Sequence, residues 1–117
     1  MASKYRVNDD GVAKARSMIE SNQYDLDAEW GDAAPSAERE NDKIDKDGYA
    51  GYGEWHLAVD TEASEETKDR YAFPFGDFRR VVRSGLIAAK QRAAQNDHDA
   101  VEKAADELLE LLDGRRS

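Results

Sequence analysis

The clearest hydrophobic pattern in the chain lies in its C-terminal half. Apolar side chains recur there every three or four residues, as on one face of a helix, and Asp77 precedes them as a suitable N-cap. The pattern predicts a helix over 77–95. Gly85 lies on the same face and costs about 1 kcal/mol relative to alanine, so we expect a close packing contact there. The residues of this face are Phe78, Val81, Val82, Gly85, Leu86, Ala89 and Ala93.

A second helical pattern follows directly after a short polar link. It begins at Asp97 or Asp99, either of which suits a helix cap, and Gly114 is the expected residue just beyond its last turn. We therefore predict a helix over 99–113 that packs on the first as an antiparallel αα-hairpin. Its apolar positions are Val101, Ala104, Ala105, Leu108, Leu109, Leu111 and Leu112.

The N-terminal half has weaker patterns. Residues 10–21 suit a short amphipathic helix, with Asp9 or Asp10 as its cap. Ser36 resembles a helix start, but Ile44 is the one large apolar side chain in the stretch that follows. We therefore predict a mobile acidic loop over 31–48.

The aromatic stretch around Trp55 allows two interpretations. Tyr52 and His56 stand four residues apart, which favours a helical turn, whereas a strand through Trp55–Val59 is the alternative. Beyond it, Ser64 suits the cap of a short helix that ends near Tyr71, and the following Phe-Pro-Phe-Gly sequence predicts an extended segment.

Together these patterns predict an all-α fold. We expect a single helical domain over 1–117, with the C-terminal hairpin packed against a loop-rich acidic N-terminal half. The ends at 1–8 and 114–117 are predicted to be flexible. The aromatic residues expected to pack against the hairpin are Trp30, Tyr52, Trp55, Tyr71, Phe73 and Phe75.

Composition excludes several classes of chemistry. The chain has no cysteine, which rules out disulfides, thiolate metal sites and cysteine nucleophiles. It has no apolar run near the roughly 18 residues of a membrane span and no signal-peptide core after Met1. We therefore expect a soluble cytoplasmic protein that does not contact a membrane.

Charge is distributed unevenly along the chain. The net charge is −9, and the 25–66 segment alone carries fourteen acidic and three basic residues, a net −11. The segments on either side each carry a net +1. Such asymmetry indicates a solvated acidic stretch, an internal arrangement of unlike segments, or a basic partner.

The predicted helix over 77–95 carries the opposite charge. Arg79, Arg80, Arg83 and Lys90 form a basic ridge beside its apolar face. Two explanations compete for the ridge. We favour pairing with carboxylates of the middle segment, and the alternative is an exposed surface for phosphate or an acidic partner.

One spacing resembles a calcium-binding loop. Asp45, Asp47 and Glu54 fall at ligand positions of such a loop when Gly48 occupies its glycine position. The first ligand position, however, is Lys43, and a cation there opposes metal binding. We therefore interpret the stretch as a solvated acidic turn.

No other motif indicates catalysis. The two histidines, His56 and His98, are too few for a histidine-rich metal site, and no glycine-rich phosphate loop is present. Ser84 lies within a predicted helix, away from the strand-turn context of a nucleophile elbow. We expect no enzymatic activity and no cofactor.

The order of features from Ala15 onward resembles a family of small, acidic, functionally uncharacterised actinobacterial proteins. The most specific matching block runs Tyr-Ala-Phe at 71–73, then Gly-Asp-Phe-Arg-Arg-Val at 76–81 and Arg-Ser-Gly-Leu-Ile-Ala at 83–88. The chain departs from the family at Val82, where a histidine is usual, and over 45–53, where a more aromatic helix is usual. The resemblance implies a cytoplasmic location and no known cofactor, and it supplies no activity.

The sequence thus predicts a small protein-interaction module that presents its acidic 25–66 segment to a protein partner. The alternative is a nucleic-acid or phosphate-binding protein that uses the basic ridge, although the net charge of −9 disfavours nucleic acid.

Overall fold

A computed structural model describes residues 5–115 of the chain, and within them short strands are interspersed with helices. The fold is mixed α/β, so the all-α prediction is wrong. A 3-10 turn at Lys68–Arg70 precedes the fourth strand. The elements in chain order are β1 (Arg6–Val7), α1 (Asp9–Glu20), β2 (Tyr24–Asp25), α2 (Trp30–Ala33), α3 (Ala37–Gly53), β3 (His56–Val59), β4 (Tyr71–Pro74), β5 (Val81–Val82), α4 (Arg83–Gln95) and α5 (Asp99–Arg115).

Two small sheets join distant parts of the chain. The first has the order β1-β3-β4, with both pairs antiparallel, and places Ala58 between Val7 and Ala72. In the second, β2 lies parallel to β5, with Tyr24 opposite Val81. The strand interpretation of 55–59 is therefore the correct one. β3 shows no alternation in the sequence because its first three residues are all buried.

The predicted hairpin is confirmed, although its first helix is shorter than predicted. α4 begins at Arg83 rather than at Asp77, because Val81 and Val82 form β5. Leu86 and Leu108 are both buried in the core, which lies between the hairpin, α1 and the first sheet. The close contact expected at Gly85 is present: an added Cβ would lie 2.8 Å from the Trp30 ring.

The first helix also follows its predicted bounds closely. Its N-cap is Asn8, whose side-chain amide donates hydrogen bonds of 3.0 Å to the carbonyl oxygens of Gly53 and His56. An added Cβ at Gly11 would lie 1.8 Å from the His56 carbonyl oxygen, so this approach of α1 to β3 requires glycine. Within the end predicted to be flexible, 1–8, the structure places β1 and the N-cap of α1, and residues 1–4 lie outside the described part.

The loop predicted over 31–48 is wrong as well, because most of it is helix. The Ser36 hydroxyl caps α3 by accepting a 3.2 Å hydrogen bond from the backbone N–H of Arg39. α3 breaks at Gly48, where φ is 77°, and ends on the buried Tyr52. A good cap and one anchoring aromatic ring therefore compensate for the shortage of apolar residues.

The C-terminal end also differs from its prediction. α5 continues through Gly114 to Arg115, whose guanidinium donates to the Glu20 carbonyl oxygen and to the Asn22 side chain, each at 3.0 Å. Within the end predicted to be flexible, 114–117, the first two residues thus belong to α5, and 116–117 lie outside the description. No helix within residues 5–115 is long and apolar enough to cross a lipid bilayer.

Candidate functional site

The basic ridge of the sequence analysis is divided among several ion pairs. Arg83 Nε lies 2.9 Å from the Asp113 carboxylate, and Lys90 Nζ lies 2.7 Å from that of Asp106. Both partners belong to α5, and these hydrogen bonds raise the pKa of each basic group. The favoured explanation, pairing with the middle segment, is therefore wrong for these two residues, which pair instead with carboxylates of the hairpin's own second helix.

The other half of the ridge lies outside α4. Arg80 is 3.4 Å from Asp25, which does belong to the 25–66 segment. The Asp77 carboxylate accepts hydrogen bonds from the backbone N–H groups of Arg79 and Arg80 at 2.9 and 2.8 Å. Asp77 thus caps a tight turn in front of β5 rather than a helix, and this turn separates Arg79 from the rest of the ridge.

Arg79 lines a cleft that also contains the three basic residues of the middle segment. Arg39, Lys43 and Lys46 stand at i, i+4 and i+7 of α3 and therefore share one face of that helix. This face meets the turn at 77–79 across a cleft of about 230 Å³, which Asp42, Asp77 and Phe78 also line. We call the site formed by Arg39, Lys43, Lys46 and Arg79 the cationic cleft.

Most of the cations in this cleft lack a carboxylate partner. Lys43 forms an ion pair with Asp47, and the hydrogen bond of that pair lowers the pKa of the Asp47 carboxyl. Arg39 donates a 2.8 Å hydrogen bond to the Asp77 carbonyl oxygen, which leaves its charge unbalanced. Within residues 5–115, no carboxylate lies within ion-pair distance of Arg39, Lys46 or Arg79.

One aromatic ring, that of Phe78, lines the cleft. Phe78 is half-buried and packs edge-on against the buried Trp55, with the ring centroids 5.7 Å apart. The Lys43 ammonium lies 5.9 and 6.0 Å from the centroids of these two rings. Phe78 also has a φ of 70°, a conformation that costs a side-chain-bearing residue free energy and is common at binding sites.

The calcium-like residues do not form a ligand set. Asp47 pairs with Lys43, Glu54 lies 3.8 Å from Lys14, and Asp45 points to solvent from the same helix. Among the residues that the structure describes, no group of three histidine, aspartate or glutamate side chains is placed to hold a metal ion.

His56 is buried beneath the end of α3. Its Nδ1 donates to the Tyr52 carbonyl oxygen at 3.1 Å, and its ring lies 4.5 Å from the Tyr52 ring. Burial lowers the pKa of His56 to about 4 and raises the pKa of Tyr52. The imidazole is therefore neutral at physiological pH, and it does not line the cationic cleft.

Sequence reasoning found Arg79 but missed the other three cations of the cleft. Their i, i+4, i+7 spacing was visible, whereas their meeting with the turn at 77–79 depends on tertiary packing. No family model, no curated protein and no solved structure matches this sequence. The resemblance to the actinobacterial family stays a prediction.

Proposed function

We propose that this chain is a cytoplasmic binding protein, not an enzyme, and that it holds an anionic group of its ligand in the cationic cleft. One observation carries the proposal: three of the four cations in the cleft have no carboxylate partner in the described chain, although the protein is strongly acidic. An oxyanion there would supply the missing counter-charge.

The chemistry of the cleft suits a phosphate or a carboxylate. The guanidinium groups of Arg39 and Arg79 offer planar pairs of donors, and the two lysines add point charges. Each charge-assisted hydrogen bond contributes about 1.5–3 kcal/mol. The half-buried Phe78 ring offers an apolar surface beside the anion.

The same geometry disfavours the nucleic-acid alternative. A protein that binds duplex DNA through its backbone typically contacts about 6–10 phosphates. Here Arg80, Arg83 and Lys90 of the ridge already pair with carboxylates of the protein itself, and Arg79 lies with three cations of α3 in one small cleft. One anionic group fits that arrangement better than a line of phosphates.

A titration with phenyl phosphate tests the proposal. The ligand combines an oxyanion with a ring for Phe78, and fluorescence of Trp55, which packs against Phe78, reports its binding. We expect saturable binding that the double variant Lys46→Glu, Arg79→Glu weakens at least about tenfold, because it replaces two attractive charges with repulsive ones.

The matched control is Arg16→Glu with Lys103→Glu, which changes the net charge equally at exposed positions on α1 and α5. It should weaken binding no more than about twofold. Equal losses in both variants, or titrations of the parent protein that never saturate, would contradict the proposal.

A second function, the acidic interaction surface, has its own supporting observation. Glu62, Glu65 and Glu66 are exposed in the loop between β3 and β4. If this loop binds a basic partner, changing all three to lysine should abolish binding of an oligolysine peptide. Changing Glu20, Glu107 and Glu110, which are exposed on helices, is the matched control and should leave most of the affinity.

A further inference from the structure

We propose that the anion held in the cationic cleft is the phosphate of a phosphorylated peptide segment, and that this segment continues along α3 to place a basic side chain near Asp10 and Glu54. This inference rests on the proposed function and names the class of its ligand. Three observations support it: the unpaired cations of the cleft, the two neighbouring clefts that adjoin it, and the charge at the far end.

The charge of the cleft matches a phosphate. The side chains that line it comprise four cations and the two carboxylates of Asp42 and Asp77, a net charge of +2. A phosphorylated side chain carries about −1.5 to −2 at neutral pH, whereas a carboxylate carries −1. Because Asp47 already balances Lys43, the three unpaired cations Arg39, Lys46 and Arg79 decide between the two anions. A phosphate offers these cations three acceptor oxygens, whereas a carboxylate offers two.

Two further clefts adjoin the cationic cleft along α3. A second cleft, of about 490 Å³, shares Lys43 with it and is also lined by Lys14 and Asp47. A third, of about 390 Å³, shares Asp10, Ala50 and Glu54 with the second. The three clefts therefore lie in a row along α3, from Arg39 to Gly53, and we call this row the groove.

The break in α3 lies between the residues that line the cationic cleft and those that line the third cleft. Gly48 has a φ of 77° and a ψ of 174°, so the helix axis changes direction between the cationic cleft and the third cleft. At 1.5 Å per residue, the bent path along α3 from Arg39 to Gly53 is about 20 Å long. An extended peptide of about six residues has the same length.

The far end of the groove has the opposite charge. Its charged lining residues are Asp9, Asp10, Glu54 and Arg70, a net charge of −2. Of these three carboxylates, Glu54 alone has an ion pair in the described chain, with Lys14 at 3.8 Å. The start of α1 contributes about half a positive charge, which the two aspartates outweigh. A lysine or arginine of the ligand would therefore be attracted there while the phosphate occupies the other end.

The test uses synthetic peptides with a phosphoserine and a lysine at opposite ends of a six-residue segment. Both orders are made, so that both directions of the peptide along the groove are tested. We expect one order to bind at least about tenfold more tightly than phenyl phosphate. Replacing the phosphoserine with glutamate, or the lysine with glutamate, should each weaken binding about fivefold or more.

Variants of the protein test whether the far end of the groove binds the lysine of the peptide. Asp10→Asn with Glu54→Gln should weaken the parent peptide about fivefold yet leave the lysine-to-glutamate peptide unaffected or better bound. Asp99→Asn with Glu107→Gln, at exposed positions on α5, is the control and should change neither affinity.

The outcomes separate the two proposals. If phenyl phosphate binds in the cationic cleft but neither peptide order binds more tightly, the peptide inference is wrong and the proposed function stands. If the glutamate peptide binds as well as the phosphopeptide, the assignment to phosphate is wrong. If no anion binds, the proposed function fails, and the peptide inference fails with it.

Discussion

The hairpin of α4 and α5 and the helix α3 illustrate two ways of stabilising a helix in one small protein. The hairpin buries Leu86 and Leu108 and pairs its charges from one helix to the other. α3 buries only Tyr52 and Gly53 and depends on a cap at Ser36. The hairpin uses its charged groups internally, whereas α3 leaves a charged face for a ligand.

The largest expected effect lies in the hairpin. Leu86→Ala should lower the free energy of unfolding by about 3–4 kcal/mol, because it removes a fully buried side chain and leaves a cavity. Ile44→Ala, at a half-buried position on α3, should cost less than about 1 kcal/mol. Urea denaturation of both variants measures the difference, and equal losses would remove the distinction between the two regions.

The second-largest expected effect is the pH dependence of stability that comes from His56, the buried residue beneath the end of α3. The pKa of this histidine is about 4 in the folded protein, below its ordinary value of about 6.5, so the unfolded chain binds more protons between these values. Stability should therefore fall as the pH drops from 6.5 to 4, by about 3 kcal/mol in total from this group.

To isolate this contribution, we compare the slope of the unfolding free energy against pH between two histidine variants. His56→Gln should flatten the slope between pH 7 and 4.5, whereas His98→Gln, at a partly exposed position, should keep it. If the slope survives in His56→Gln, the loss of stability arises from other groups.

The smallest effect lies at the break in α3. An added Cβ at Gly48 meets no atom within 4 Å, so Gly48→Ala introduces backbone strain without a clash. The strain at this φ should cost about 1–2 kcal/mol, as measured by thermal unfolding. A stabilising effect would show that the helix runs straight through this position.

The hairpin was predictable because its apolar face repeats over many residues and its contacts are local. The strands were not, because β5 has only two residues and Val81 and Val82 also fit the helical stripe before Gly85. A pattern of two residues has no period to detect. In β3, burial of His56, Leu57 and Ala58 on both faces removed the alternation that identifies a strand.

The candidate site was predictable only in part. The sequence shows that Arg39, Lys43 and Lys46 share a helical face, provided that this stretch is helical. Because 31–48 was predicted to be a loop, no helical face was expected there. The approach of Arg79 to that face depends on the turn capped by Asp77. Charge totals describe segments, whereas a binding site depends on which few charges meet in space.

Both sheets combine strands from opposite sides of the exposed loop between β3 and β4. β4 completes the sheet of β1 and β3. β5 pairs with β2, and these two strands are separated by about half the length of the chain. A polypeptide divided in this loop would leave each fragment with unpaired strand edges and an uncovered apolar surface. The topology therefore favours two fragments that fold only when they associate with each other, as in split-protein reporters.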